Sequence, residues 1–302
     1  MTTTNETNYD AFDAGEAVQE QQLEAVGFRR LQHMNENTTY HRGSLIERGG
    51  YAIADDNGDA PDIGKSESVK HFGGGSTVMR VATEVELAVI GFSNKYFVAE
   101  YDDPAGTLDN FGKPKRVKLI VDRYMYPQDL AGPNGKCVSS ISLFVVLKND
   151  PKRELYELSF KSFNTDEGTK LINALKGYAG AVAQEIAKQR NKTTRLHVFA
   201  LWMTLGVGET QMKGAKVQGP STPPIWEVDS ATPALMQRLV SGDDYRKFIE
   251  LRKQLDEYLA QGRYSGVQQP QLPQRQAAPA LAAPNQFDNA GNYARANGDV
   301  NI

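Results

Sequence analysis

Cationic and aromatic side chains interleave along three consecutive segments of this chain. Phe92, Lys95, Tyr96 and Phe97 flank a Gly91-Phe92-Ser93-Asn94 reversal. Phe111, Lys113, Lys115, Arg116 and Lys118 lead into an apolar run, and Arg123, Tyr124 and Tyr126 leave it. Single-stranded nucleic acid binding needs this mixture: cations track phosphates, while rings stack on bases at about 1–3 kcal/mol each. Rings also fill strands for packing reasons, and lysine on a strand edge deters aggregation. Each residue taken singly has such a structural explanation. Their joint placement is what raises binding above it, and the candidate contacts are Lys95, Tyr96, Lys113, Lys115, Arg116, Lys118, Arg123, Tyr124 and Tyr126.

Catalytic chemistry has no comparable set. The histidines at 33, 41, 71 and 197 fall in an expected helix, two loops and a strand, without ligand-like spacing. His197, on an apolar face, reads as a packed core residue. No nucleophile elbow, His-Glu-x-x-His or Walker sequence occurs. Asp55, Asn57 and Asp59 alternate like the start of an EF-hand loop. Ala60 stands where that loop needs glycine, however, and Ser66 where it needs a bidentate glutamate. An acidic turn is the better account. Gly73-Gly74-Gly75-Ser76 lacks the Gly-Lys-Ser/Thr ending of a phosphate loop and reads as a linker. The expectation is a protein without enzymatic activity and without a cofactor or metal.

Strands must position the candidate contacts. Val81, Thr83, Val85, Leu87 and Val89 alternate with smaller or charged residues, which predicts one long half-buried strand from Val78 to Val89. Lys95–Tyr101 runs back from it, and Lys113–Tyr124 follows. In the next strand Ile141, Leu143, Val145 and Leu147 share one face, opposite Ser140, Ser142, Phe144 and Val146. That other face is polar at one end and apolar at the other, as a central strand requires. Asn149-Asp150-Pro151 supplies a turn, and Tyr156, Leu158 and Phe160 alternate on the return.

Asn164 with Glu167 predicts a capping box opening a helix over 165–188. Leu171, Leu175, Tyr178, Val182 and Ile186 form its apolar stripe. Lys188, Arg190, Lys192 and Arg195 cluster near its end, where cations complement the helix dipole. A strand from His197 to Leu205 and a short one at 225–228 follow. Two C-terminal helices come next, the first opened by Thr232-Pro233. A further helix is predicted from Ala14 to Gln32, with loops and a short strand at Tyr51–Ile53 between Arg42 and Ser76.

The net charge of −3 is unevenly spread. Residues 1–64 carry 4 basic and 12 acidic side chains, and residues 65–216 carry 22 and 16. A basic middle beside an acidic arm is compatible with a polyanionic partner, or with an arm folding back on its own core. The single cysteine, Cys137, excludes an intrachain disulfide and fits a reducing cytoplasm. No long apolar run and no basic-then-apolar leader is evident, so a membrane is not an expected partner.

The order of strands around the helix resembles that of OB-fold proteins, although an extra strand precedes the helix here. The Gln/Pro/Asn-rich tail ending Gly298-Asp299-Val300-Asn301-Ile302 resembles the linker and tip of bacterial single-stranded DNA-binding proteins, with far fewer acids. The stretch from Val138 to Gly180 also looks like proteins of plasmids, phages and other mobile elements, in which a strand pair ending in a Leu-Ser/Thr-x-Lys motif enters a helix. That motif is Leu158-Ser159-Phe160-Lys161 here, and the resemblance adds Lys161 to the candidate contacts.

The fold expected is α+β and mainly β, a curved antiparallel sheet or OB-like barrel with one inserted long helix and C-terminal helices. Residues 1–64 would form an acidic, partly disordered arm with one helix, and 65–230 the OB-like core. Residues 231–264 would hold the C-terminal helices, and 265–302 a disordered Gln/Pro/Asn-rich tail. The function expected is single-stranded nucleic acid binding, DNA rather than RNA, in the cytoplasm. The alternative is a structural or assembly protein that self-associates through sheet edges and arms into a homo-oligomer.

Overall fold

A computed structural model describes residues 28–260, except 38, 40, 56, 71–74, 104–105, 109–113, 115, 122–123, 127–129, 131–134, 215–218 and 227–230. The strands are β1 (Arg29–Asn35), β2 (Gly49–Ala54), β3 (Lys65–Lys70), β4 (Ser76–Ala82), β5 (Val85–Phe92), β6 (Tyr96–Asp102), β7 (Arg116–Val121), β8 (Lys136–Leu147) and β9 (Tyr156–Lys161). Helix α1 (Thr165–Arg190) follows, then β10 (Met203–Val207), β11 (Gln211–Lys213), β12 (Gly219–Ser221), β13 (Pro224–Ile225), α2 (Thr232–Gln237) and α3 (Gly242–Ala260).

The architecture is mainly β with few helices. The path β13-β10-β5-β8-β9-β1-β2-β4-β3 forms one open sheet, with β6 and β7 branching from β8. All its pairings are antiparallel save the parallel ladder of β1 and β9. Five spacings separate β2 from β10 along the order, about 24 Å if the sheet were flat. Yet the Tyr51 hydroxyl on β2 donates to the Gly206 carbonyl on β10 at 3.0 Å. The sheet is therefore curled until its second and seventh strands, β10 and β2, touch, without a ladder closing it into a barrel.

β8 is the centre, as its two-faced pattern requires. Ile141, Leu143, Val145 and Leu147 lie on the inner, concave face with Tyr51, Leu87, Leu158, Phe160 and Leu205. Leu171, Ile172 and Leu175 of α1 pack into that face. Phe144 and Val146 lie on the outer face, covered by Tyr245, Phe248 and Leu255 of α3. The stripe of α1 is buried as expected at Leu171, Leu175, Val182 and Ile186, with Tyr178 packed at its margin. Its second half meets Leu201 and Leu235. The turn before β9 is built by Asp150, whose carboxylate accepts the N–H groups of Lys152 and Glu154 at 2.9 and 2.8 Å.

Several local expectations give way to tertiary pairing. Residues 29–32, placed in a helix by pattern, are strand β1, because β9 and β2 both offer ladders to them; residues 14–27 lie outside the described residues. The boundary at 64/65 divides nothing, since β1 and β2 stand inside the sheet beside β9 and β4. Within the expected 42–76 loop region, 65–70 form β3 on the edge of β4.

The long strand expected over 78–89 breaks at Thr83-Glu84. β4 pairs with β2 and β3, while β5 pairs with β8 and β10. β5 also runs through Phe92 by way of a bulge at Gly91, where a Cβ would fall 2.5 Å from Leu255 of α3.

Residues 198–200 are a 3-10 turn, and the strand starts only at Met203. There the backbone of 200–202 bonds to Arg238 and Val240 instead of continuing a ladder. The expected capping box is absent. Asn164 makes no side-chain cap bond; it is buried, and its amide donates to Asn35 and to the Thr222 carbonyl at 3.3 and 3.2 Å.

Candidate nucleic-acid interface

β8 is 12 residues long, and two strands share one of its sides. β5 pairs with its second half from Leu143, and β6 with its first half up to Ser140. Between them the Ser93 N–H donates to the Ser142 carbonyl at 2.9 Å, and Ser93 Oγ accepts the Ser142 N–H at 3.0 Å. One serine so replaces a ladder residue at the changeover and lets the chain continue into β6. β6 and β7 then project as a hairpin branching from β8.

Alternation along this hairpin sorts the candidate contacts. Phe97 pairs with Ser139 and Val121, so it belongs to the inner face, as do Ala99 with Cys137 and Tyr101. The Met125 N–H donates to Cys137 Sγ at 3.3 Å, which draws the segment after β7 back over this face. Tyr124 therefore meets Phe97 edge to face, with ring centroids 5.9 Å apart, and Tyr126 meets Tyr124 at 5.3 Å. Tyr124 is 46 % and Tyr126 59 % exposed. The start of α1 borders the rings: Thr165 Oγ1 donates to the Ser139 carbonyl at 3.1 Å, and Lys95 Nζ is 3.9 Å from Asp166.

Tyr96 is a correction. It is only 8 % exposed, on the outer face, with its hydroxyl 2.8 Å from Ser142 Oγ. Ser142 in turn donates to the buried Glu157 at 2.8 Å and lies 2.9 Å from Ser159 Oγ. A ring locked in this network offers no face to a base.

Arg116 and Lys118 stand at register positions opposite Asp102 and Glu100. β7 ends at Val121, before Tyr124 is reached. Lys161 is exposed at the end of β9 and pairs with Ser140 on the outer face. Phe111, Lys113, Lys115 and Arg123 lie outside the described residues.

The structure thus brings Lys95, Phe97, Tyr124 and Tyr126 together, and sets Tyr96 and Lys161 apart from them. Two cations escaped the sequence reading. Lys136 Nζ lies 2.9 Å from Glu100, and Lys176 Nζ stands 5.1 Å from the centroid of the Phe92 ring. Lys176 sits next to Leu175 of the apolar stripe, a spacing that signals only an exposed helix face.

The other features weighed in the sequence are structural. Asp55 is buried, accepts the Ala60 N–H at 3.0 Å and pairs with Arg80 at 2.9 Å. The Ala60 bond and the arginine hold its carboxyl below the usual range. His197 stacks on Phe199 at 4.7 Å, and desolvation lowers its pKa. Among the described residues no three His, Cys, Asp or Glu side chains are placed to hold a metal ion. No described helix is long and apolar enough to cross a membrane. No protein-family model matches this chain, and comparison with curated proteins and with solved structures finds no similar one.

Proposed function

We propose that this is a non-enzymatic, cytoplasmic single-stranded DNA-binding protein of a phage or other mobile element, whose bases stack on the ring ladder at the β6–β7 hairpin. The observation that carries the reading is the run of half-buried Phe97 and exposed Tyr124 and Tyr126 beside Lys95. Exposed rings in edge-to-face contact on a strand branch leave open faces for bases, and every base has a face to offer. The likeness to OB-fold proteins that this reading uses is a curled, ring-bearing sheet with one long helix packed on its inner face, and not a closed barrel.

Fluorescence anisotropy with labelled single-stranded and duplex oligonucleotides across a salt series tests it. Preference for the single strand, weakened by Tyr124→Ala with Tyr126→Ala, is the expected result. No binding by the unmutated protein at low salt ends the reading.

One observation favours a second reading, self-assembly through sheet edges. Among the described residues β7 pairs with β6 alone, β3 with β4 alone and the two-residue β13 with β10 alone, which leaves outer edges to meet another copy. Light scattering that shows mass growing with concentration, without any oligonucleotide binding, would promote it.

A further inference from the structure

A groove of about 760 Å³ runs along the second half of α1 and the segment beyond it. Lys176, Lys188, Lys192 and Arg195 line it with Thr193 and Thr194, and no Asp or Glu does. Glu185 comes within 3.7 Å of Lys188, whose side chain nonetheless stays 75 % exposed. Helix-dipole compensation accounts for cations in the last turn. It does not account for Lys176, more than three turns earlier, or for Lys192 and Arg195 beyond the helix end.

The groove wall carries an independent signal. Gly180 lines it, one turn from Gly177, and a Cβ at either would meet nothing within 4 Å. Glycine inside a helix is unfavourable relative to alanine, and no packing within the described chain requires it here. A molecule lying close against the helix backbone would require it.

α1 connects this groove to the rings. Its first turn touches Ser139 and Lys95 beside the ladder, and Lys176 lies over Phe92, the last residue before the changeover into β6. From Asp166 to Lys188 the helix axis covers about 33 Å. At the 3.4 Å rise of one strand of stacked, duplex-like DNA that distance is about 10 nucleotides.

We propose that the groove binds the phosphodiester backbone of the strand whose bases stack on Phe97, Tyr124 and Tyr126, an inference that rests on the nucleic-acid reading above.

The test uses the full chain, Lys188→Ala with Arg195→Ala, and labelled oligothymidylates of about 5 and about 20 nucleotides, shorter and longer than the span. The variant should bind the short strand as the unmutated protein does. For the long strand its salt slope should fall by about 1.4, so that the affinity lost between about 50 and 200 mM salt shrinks about sevenfold. Circular dichroism checks that the fold is kept.

An unchanged salt slope on the long strand overturns the groove but not the ring site. Equal weakening on both lengths also overturns it, since a distinct distal contact cannot act on the short strand. Tighter binding by the variant overturns it too, and assigns the groove to residues 1–27 of this chain, which hold six Asp or Glu and no Lys or Arg. No binding of either strand by the unmutated protein removes both readings together.

Discussion

Tyr96 and Tyr124 show how one residue type divides by face. Tyr124 stands exposed against Phe97, so Tyr124→Ala should weaken single-strand binding by about 1–3 kcal/mol. The salt slope should barely move, because stacking releases few counterions. Tyr96→Phe should leave binding unchanged and instead cost about 0.5–1.5 kcal/mol of stability, since it removes the hydroxyl beside Ser142. Anisotropy and urea unfolding of the two variants separate the roles, and a binding loss in Tyr96→Phe would contradict the assignment of faces.

His33 offers a pH test at the same scale. Its ring packs between Tyr51 and Phe160 at 5.5 Å from each. Its Nε2 is buried without a hydrogen-bond partner among the described residues, and desolvation lowers its pKa from 6.5 to about 4. The folded protein resists the proton that the unfolded chain accepts. The His33 contribution is therefore complete above pH 6.5, declines as pH falls, and is gone below about 4, a span worth on the order of 3 kcal/mol. Urea midpoints measured across this range should fall with acid, and His33→Phe should flatten the decline. A decline equally steep in the variant would assign it elsewhere.

Among the elements, α1 carries opposite demands on its two sides. Leu175 is buried against the inner face of the sheet, so Leu175→Ala should cost about 2–5 kcal/mol through lost burial and a residual cavity. Gly177 is exposed with open space around its Cα, so Gly177→Ala should stabilise by up to about 1 kcal/mol. Thermal unfolding of both variants checks the helix rotation, and a stabilising Leu175→Ala would show the stripe to be misplaced. The helix entrance is set by Asn164, whose side chain serves β1 and the loop after β12. It is a tertiary pin, not a local cap.

At the scale of the whole molecule, one sheet separates two apolar cores. Leu143 and Phe144 are neighbours on β8 and belong to different cores. Arg153 fixes the outer layer to the turn after β8: its guanidinium pairs with Asp244 of α3 at 2.9 Å, donates to the Lys148 carbonyl at 2.6 Å, and stands 5.2 Å from the Trp202 ring. Neither core can dissolve without exposing the shared strand, which predicts a single cooperative transition. Each core holds or borders one tryptophan, Trp202 outside and Trp226 inside. Fluorescence of Trp202→Phe and of Trp226→Phe should therefore report coincident midpoints, once corrected for each variant's own stability by circular dichroism. Separate transitions would mean that the cores unfold independently.

The amino-acid sequence by itself determined whatever depends on near neighbours. The two-faced pattern of β8 marks a central strand, the Asx turn at Asp150 closes its hairpin, and the 3.6-residue stripe of α1 finds its buried side. It also marked Tyr124 and Tyr126 as candidates by type, with Phe97 in the same interleaved pattern. Only the tertiary structure decided which segments became strands through distant partners. β1 forms because β9 and β2 both offer ladders, and β4 parts from β5 because each finds different neighbours. It also decided which tyrosines are available. Tyr96 and Phe97 are adjacent in sequence, and a strand sends adjacent side chains to opposite faces. Which of those faces is closed by Ser142 and Glu157, and which is left open to Tyr124, depends on pairings with β8 and on a chain return at Cys137. Those contacts join residues far apart along the chain, and no local pattern encodes them.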